Sequence, residues 1–154
     1  MRPMSEVRAA RQGDTDALLA AYEWLFAPPG SVPPQWDPDH ARAAIGRALA
    51  GERSTIFVAE SDGRLTGLCS AYVEFDSVRY GTRCWVEDLV IDPELRSRGT
   101  GKALLDAAKE WARDLGATHL ELDSGVARTE AHRFYEREGP SWESKCYAWE
   151  LRPR

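Results

Sequence analysis

Two glycines, two arginines and a lysine crowd into Arg96-Ser97-Arg98-Gly99-Thr100-Gly101-Lys102, where a strand gives way to a helix. Upstream, Cys84-Trp85-Val86-Glu87-Asp88-Leu89-Val90-Ile91 has the apolar density of a central strand, broken by two adjacent acids that are out of place in a buried strand. Downstream, Leu104, Ala108, Trp111 and Leu115 recur on one face of a helix running from Gly101 to Leu115, and Gly116 closes it. Backbone N–H groups at a helix start lack intrahelical acceptors and sit at the positive end of the helix dipole. Glycines let a phosphate approach that backbone closely. The segment therefore reads as an anion site of pyrophosphate type, the plain alternative being a helix start with arginines in solvent.

Two phosphate-binding motifs fail here. A P-loop needs Gly where Arg96 stands and Ser or Thr where Ala103 stands. A dinucleotide fingerprint needs G-x-G-x-x-G early in a βαβ unit, and the segment neither has that spacing nor lies early.

The rest of the chain supplies a mixed α/β frame. Val7 to Ala10 reads as a short strand, and Asp14 as the cap of a helix carrying Leu18, Tyr22 and Leu25. Four prolines between Ala27 and Trp36 forbid regular structure there. Asp37-Pro38 then opens a helix with Ala41, Ala44, Ile45, Ala48 and Leu49 in a stripe, ended by Gly51. Strands follow at Thr55 to Ala59 and from Leu65 to Phe75, joined by a Ser61-Asp62-Gly63 turn. After a turn near Gly81 comes the acid-bearing strand. The last third alternates: helix, a strand at Thr118 to Asp123, a short helix capped by Thr129 and stopped by Gly139-Pro140, and a final strand from Lys145 to Leu151. The expected fold is α/β, with a mixed, mostly antiparallel sheet of six to seven strands and flanking helices, in one domain over residues 1–154.

Composition narrows the function. With 43% hydrophobic and 29% charged residues in 154, the chain has the balance of a soluble globular domain. The net charge of −5, with no basic concentration, argues against a nucleic-acid partner. No apolar run is long enough to cross a membrane, and Met1 to Glu6 lack the apolar core of a secretory leader. Three scattered cysteines, Cys69, Cys84 and Cys146, lack metal spacing and read as idle thiols of a cytoplasmic protein.

The segment Arg96 to Gly101 resembles the acyl-CoA loop of the GCN5-related N-acetyltransferases: Arg or Gln, two residues, Gly, one residue, Gly or Ala. Leu89-Val90-Ile91-Asp92-Pro93 before it and Lys102-Ala103-Leu104-Leu105 after it are similar to the family's flanks. Ala131-His132-Arg133-Phe134-Tyr135-Glu136-Arg137-Glu138-Gly139 is similar to its A-x-x-F-Y-x-x-x-G helix. The order of elements matches over essentially the whole chain. Two departures stand out. Arg128 replaces a frequent Asn three residues before the alanine, at the contacts to the CoA arm. Pro140 replaces a common Phe at the lead-in to the last strands.

The resemblance implies central strands splayed at a bulge, and acetyl-CoA as co-substrate with no metal. Leu89, Val90 and Ile91 would pair with the pantetheine arm. Arg96, Ser97, Arg98, Gly99, Thr100, Gly101 and Lys102 would hold the pyrophosphate. An amine acceptor would attack the thioester directly. Glu87, a half-buried carboxylate on the face of Trp85, is the candidate base, with Asp88 on the opposite face; Glu87 as a mere binder of the cationic acceptor is the alternative. Tyr135 is the candidate proton donor to the departing thiolate. His132 is a variable position in the family pattern. Trp36, Glu74, Tyr80 and Trp85, with Asp76, are expected to surround a cationic small-molecule acceptor. The aromatic C-terminal strand is the candidate interface of a homodimer. A competing reading is an acyl-CoA-binding sensor or an inactive homologue.

Overall fold

A computed structural model describes residues 5–152; Met1 to Met4, part of the stretch read for a leader, and the Phe75 side chain lie outside the described residues. The chain forms two units, one ending at Leu122 and one beginning at Asp123.

The first unit is a five-stranded sheet in sequence order, flanked by three helices. Its strands are β1 (Glu6–Ala9), β2 (Ser54–Ser61), β3 (Arg64–Ser77), β4 (Gly81–Ile91) and β5 (His119–Glu121). Its helices are α1 (Thr15–Ala21), which runs on into a 3-10 turn over Tyr22–Leu25, α2 (Pro38–Ala50) and α3 (Thr100–Asp114). β1 to β4 pair antiparallel and β4 pairs β5 in parallel, so the mixed, mostly antiparallel α/β class holds.

The two faces of the sheet have different helices on them. Leu68 and Val90 pair across β3 and β4 and are buried with Ile56, Val58, Leu18, Ala21 and Ile45 on the α1–α2 face. Gly67 belongs to the opposite face. A Cβ there would lie 2.7 Å from Ile91 Cδ1 and 3.0 Å from Leu104 Cδ1, so its lack of a side chain lets α3 approach. Leu104, Leu105, Ala108 and Ala112 are buried along α3, and Cys69, Ala71, Cys84 and Val86 are buried on the strands.

Arg8 anchors the edge. Its guanidinium meets both Asp14 oxygens at 2.8 and 2.9 Å and Glu60 Oε2 at 2.7 Å, tying β1 to β2 and to the start of α1. Asp14 also accepts from the Arg11 N–H, so its carboxylate holds the turn ahead of α1 rather than the helix amides a simple cap would take.

The second unit carries α4 (Thr129–Arg137), followed by Gly139 at φ +67°. Arg128 takes the cap position, and Thr129, expected as the cap, is the first helical residue. The strand expected at Lys145 to Leu151 is not formed: the segment has no ladder and is exposed. A row of β-prone side chains becomes a strand only with a neighbouring strand to bond to.

The Asp14 carboxyl is held down at about 2, chiefly by the hydrogen bonds from Arg8. A depressed folded-state value stabilises the fold above the unfolded carboxyl range, and that stabilisation is lost as pH falls toward 2. Asp14→Asn should cost about 1–2 kcal/mol at neutral pH, allowing for solvent screening. It should also flatten the acid limb of stability between pH 4 and 2 in urea titrations. The thiols give a second check. Cys69 and Cys84 are buried, with thiols pushed up to about 12 and about 11 by burial, while Cys146 is exposed. A chromogenic disulfide reagent should find one thiol in the native protein and three in urea. Three fast native thiols would contradict this packing.

Candidate active site

The centre of β4 breaks the alternation of the sheet. Ser70 pairs with Asp88, but the next residue, Ala71, pairs with Val86, leaving Glu87 as an extra residue in β4. This is a β-bulge, and it resets which face each later side chain occupies. Trp85 pairs with Tyr72 and Asp88 with Ser70; Tyr72 and Ser70 are two residues apart on β3 and share the α1–α2 face. Asp88 therefore lies on the same face as Trp85, correcting the expectation that it points the opposite way. Glu87 stays with Trp85, whose indole Nε1 donates to Glu87 Oε2 at 2.9 Å. Glu87 is exposed rather than half-buried.

Several charged and phenolic groups gather around this face. Arg83 bonds Glu74 and Glu121, the latter at 3.0 Å, and lies 5.3 Å from the Trp85 ring centre. Glu74, expected to meet an acceptor, is thus engaged by Arg83. Burial pushes the half-buried Tyr72 phenol up, and the charges of Glu87 and Glu74 add to the shift. Tyr72, Val73 and Glu74 line an open concavity of about 720 Å³ together with Arg53 and Asp76. Beneath the bulge, Ser70 Oγ accepts from the Asp88 N–H at 3.2 Å.

The other two expected acceptor aromatics have separate neighbours. Trp36 packs edge-on against Phe26 at 4.8 Å. Tyr80 is exposed, under Arg79 at 4.7 Å and edge-on to His119 at 6.3 Å. Trp85, Glu87 and Glu74 are brought together; Trp36 and Tyr80 each pack against a different group.

Beyond the bulge, the parallel ladder ends at Trp85–Glu121, while β4 continues to Ile91 paired with β3. Leu89, Val90 and Ile91 lie in this stretch, and Val90 is buried. A 3-10 turn at Pro93–Leu95 then leads into the glycine loop. Ser97 at φ +64° and Gly99 at φ +80° both take left-handed backbone. Arg96, Ser97, Arg98 and Gly99 are exposed; Thr100, the first helical residue, is buried. The first intrahelical bond runs from Ala103 N–H to Gly99 O, so the amides of Thr100, Gly101 and Lys102 precede it at the helix end. A Cβ on Gly99 would meet nothing within 4 Å. The loop thus offers open space at a helix start, flanked by Arg96 and Arg98. Lys102 pairs with Asp106 at 3.0 Å along α3. In the second unit, Tyr135 is half-buried on α4, with its ring 5.3 Å from Phe134. His132 Nε2 contacts Gly125 O at 2.9 Å, a local loop contact.

These features coincide with a known family. Residues 18–139 match the model of the acetyltransferase (GNAT) family. The chain belongs to that family. It is 30% identical over 137 residues to the aminoalkylphosphonate N-acetyltransferase of Salmonella typhimurium, covering 89% of this chain and 85% of that protein. It is 39% identical over 84 residues to the uncharacterized N-acetyltransferase YhdJ of Bacillus subtilis. That match covers 54% of this chain and 58% of the relative, a little over half of its length. The fold matches that of the aminoglycoside N-acetyltransferase AAC(6')-Iy, solved in complex with CoA. The TM-score is 0.83 at 18% identity, over 97% of this chain and 95% of that one. The chain is accordingly a member of an acetyltransferase family, and the open glycine loop at the start of α3 suits an anionic group. No helix among the described residues is long and apolar enough to cross a membrane.

Sequence reasoning overlooked Arg83 and Tyr72, gave Tyr22 to the acceptor side through its helix rather than to the bulge, and misplaced Asp88. The signal for the last was present: adjacent acids in a strand are hard to accommodate without a bulge.

Proposed function

We propose that the protein acetylates the primary amine of a small cationic acceptor by direct attack on acetyl-CoA, as a single N-acetyltransferase domain over residues 1–154. The family match running across both units supports the single domain. The observation that carries the chemistry is the bulge that turns Glu87 and Asp88 onto the face of Trp85 and Tyr72. The exposed Glu87 carboxylate beside Trp85 suits an ammonium acceptor. The named relatives act on an aminoalkylphosphonate and on aminoglycosides, both amine-bearing.

Acetyl-CoA supplies the activated thioester carbon that the amine attacks. Every other role falls to residues of the chain. Leu89, Val90 and Ile91 offer backbone groups to the pantetheine arm beyond the end of the parallel ladder. The stretch from Arg96 to Lys102 binds the pyrophosphate through amides, with Arg96 and Arg98 adding charge. Glu87 accepts a proton from the acceptor ammonium, directly or through a water, freeing the lone pair. The new C–N bond forms as the C–S bond breaks; the Tyr135 phenol gives its proton to the departing thiolate, and the proton shed by the newly acylated nitrogen passes through water to restore the phenol. Trp85 forms the floor under the amine, Glu74 supplies negative potential, and Trp36 and Tyr80 lie on the rim.

Gly99→Asp adds a negative charge where the pyrophosphate would lie, in space free of protein atoms. Acetyl-CoA affinity should fall at least about tenfold, roughly 1.4 kcal/mol. Unchanged affinity in a folded variant, measured by calorimetry, would remove the loop from the cofactor site. Glu87→Gln and Tyr135→Phe should each lower kcat by about 10- to 100-fold. The Glu87→Gln deficit should shrink as pH rises, because the amine then loses its proton in solution. A raised KM with an unmoved acid limb of kcat would instead make Glu87 a cation binder. Acetyl-CoA binding without turnover across an amine panel would favour a sensor.

A further inference from the structure

The bulge is held from below by groups that the proposed chemistry does not use. Tyr22 begins the 3-10 turn after α1, and that turn packs against β4 while α1 packs against β3. Its ring packs against the apolar cluster of Leu18, Leu68 and Val90, and Leu68–Val90 is the pair two residues along the same face from Ser70–Asp88, so its hydroxyl is placed beside Ser70 and Asp88. A carboxylate accepts and cannot donate, so the phenol is the donor to Asp88. Ser70 is 8% exposed; its Oγ accepts from the Asp88 N–H at 3.2 Å and makes a longer contact of 3.5 Å to Asp88 Oδ2. Ser70 and Asp88 are the paired residues that border the register shift, with Glu87 next in the chain. Burial raises the Tyr22 phenol well above its ordinary value, with the charges of Asp88 and Glu87 acting in the same direction, so it stays a neutral donor.

We infer that Tyr22 is a positioning residue for acetyl transfer: with Ser70 it pins Asp88, and through the bulge it fixes the direction in which Glu87 is presented. The inference rests on the reading of Glu87 as the base. A peptide pinned at Asp88 on both its amide and its side chain leaves its neighbour little freedom. A base displaced by a fraction of an ångström loses much of its effect, while cofactor binding on the far stretch of β4 does not change.

The test is Tyr22→Phe, which removes one oxygen and keeps the ring, made in the native chain and in Glu87→Gln. In the native background kcat should fall about tenfold with the KM for acetyl-CoA unmoved, since misplacement acts on the chemical step. In the Glu87→Gln background the same change should cost less than about twofold, because the group it positions is already disabled. An equal loss in both backgrounds would overturn the positioning role and leave Glu87 as base intact. A folded Tyr22→Phe with native kcat would also overturn it. Full activity in Glu87→Gln alone would instead remove the base reading, and this inference with it. Should Tyr22→Phe not fold, Ser70→Ala carries the same comparison, and Ser70→Thr, which keeps the hydroxyl, should restore kcat.

Discussion

One extra residue in β4 reconciles two demands that a regular strand cannot meet together. Val86 and Val90 are both buried, yet Val86 pairs with Ala71 on the α3 face and Val90 with Leu68 on the α1–α2 face. Four residues apart in strict alternation, they would share a face. The bulge at Glu87 shifts the phase, so each valine finds its own core. It also takes Asp88 off the α3 face, where its neighbours would be the buried Cys69 and Ala71. A carboxylate there would be desolvated without a partner, which is costly. Instead Asp88 meets Ser70 and Tyr22, and Glu87 reaches Trp85. The acidic surface is thus a by-product of how the sheet divides its apolar residues between two cores.

The same phase shift prepares the other half of the site. Past the bulge, β4 runs on to Ile91 without β5 beside it, and the chain turns through Ser97 and Gly99 into α3. α3 can start close to the strands because Gly67 leaves room for Leu104. The open start of α3 and the acidic bulge therefore lie on one strand–turn–helix unit. Their spacing is fixed by short-range backbone geometry rather than by flexible side chains.

What could be read from the sequence follows this division. The glycine loop, α3 and α4, the hairpin turn at Asp62-Gly63 and the helix opened by Asp37-Pro38 were legible because each depends on residues close in the chain. Glu87 and Asp88 stood out as adjacent acids, but strict period-two alternation placed Asp88 on the wrong face, since a bulge is set by the partner strand. Arg83 escaped notice for a related reason: its partners, Glu74 and Glu121, come from strands on either side. The C-terminal segment read as a strand because Tyr147, Ala148 and Trp149 favour one, but pairing cannot be read from a single segment. Of the three cysteines, Cys69 and Cys84 are buried and Cys146 is exposed.

The contrast between cofactor and acceptor has the same origin. Pyrophosphate is recognised by main-chain amides, whose arrangement depends on glycines at fixed offsets, so a short motif is enough to reveal it. An amine is recognised by side chains, and those proposed to meet it here come from β3 and β4, brought together by a register shift that no local pattern encodes. Arg83 sharpens the point. By engaging Glu74 and Glu121 and lying over Trp85, it takes up part of the negative charge that a count of acids would assign to the acceptor. The potential left at the bulge is that of Glu87 and Asp88, a narrower and more directed field than the net charge of the chain implies. For the acetyl transfer proposed above, that field would favour an acceptor whose charge is concentrated on one amine over one recognised by diffuse attraction.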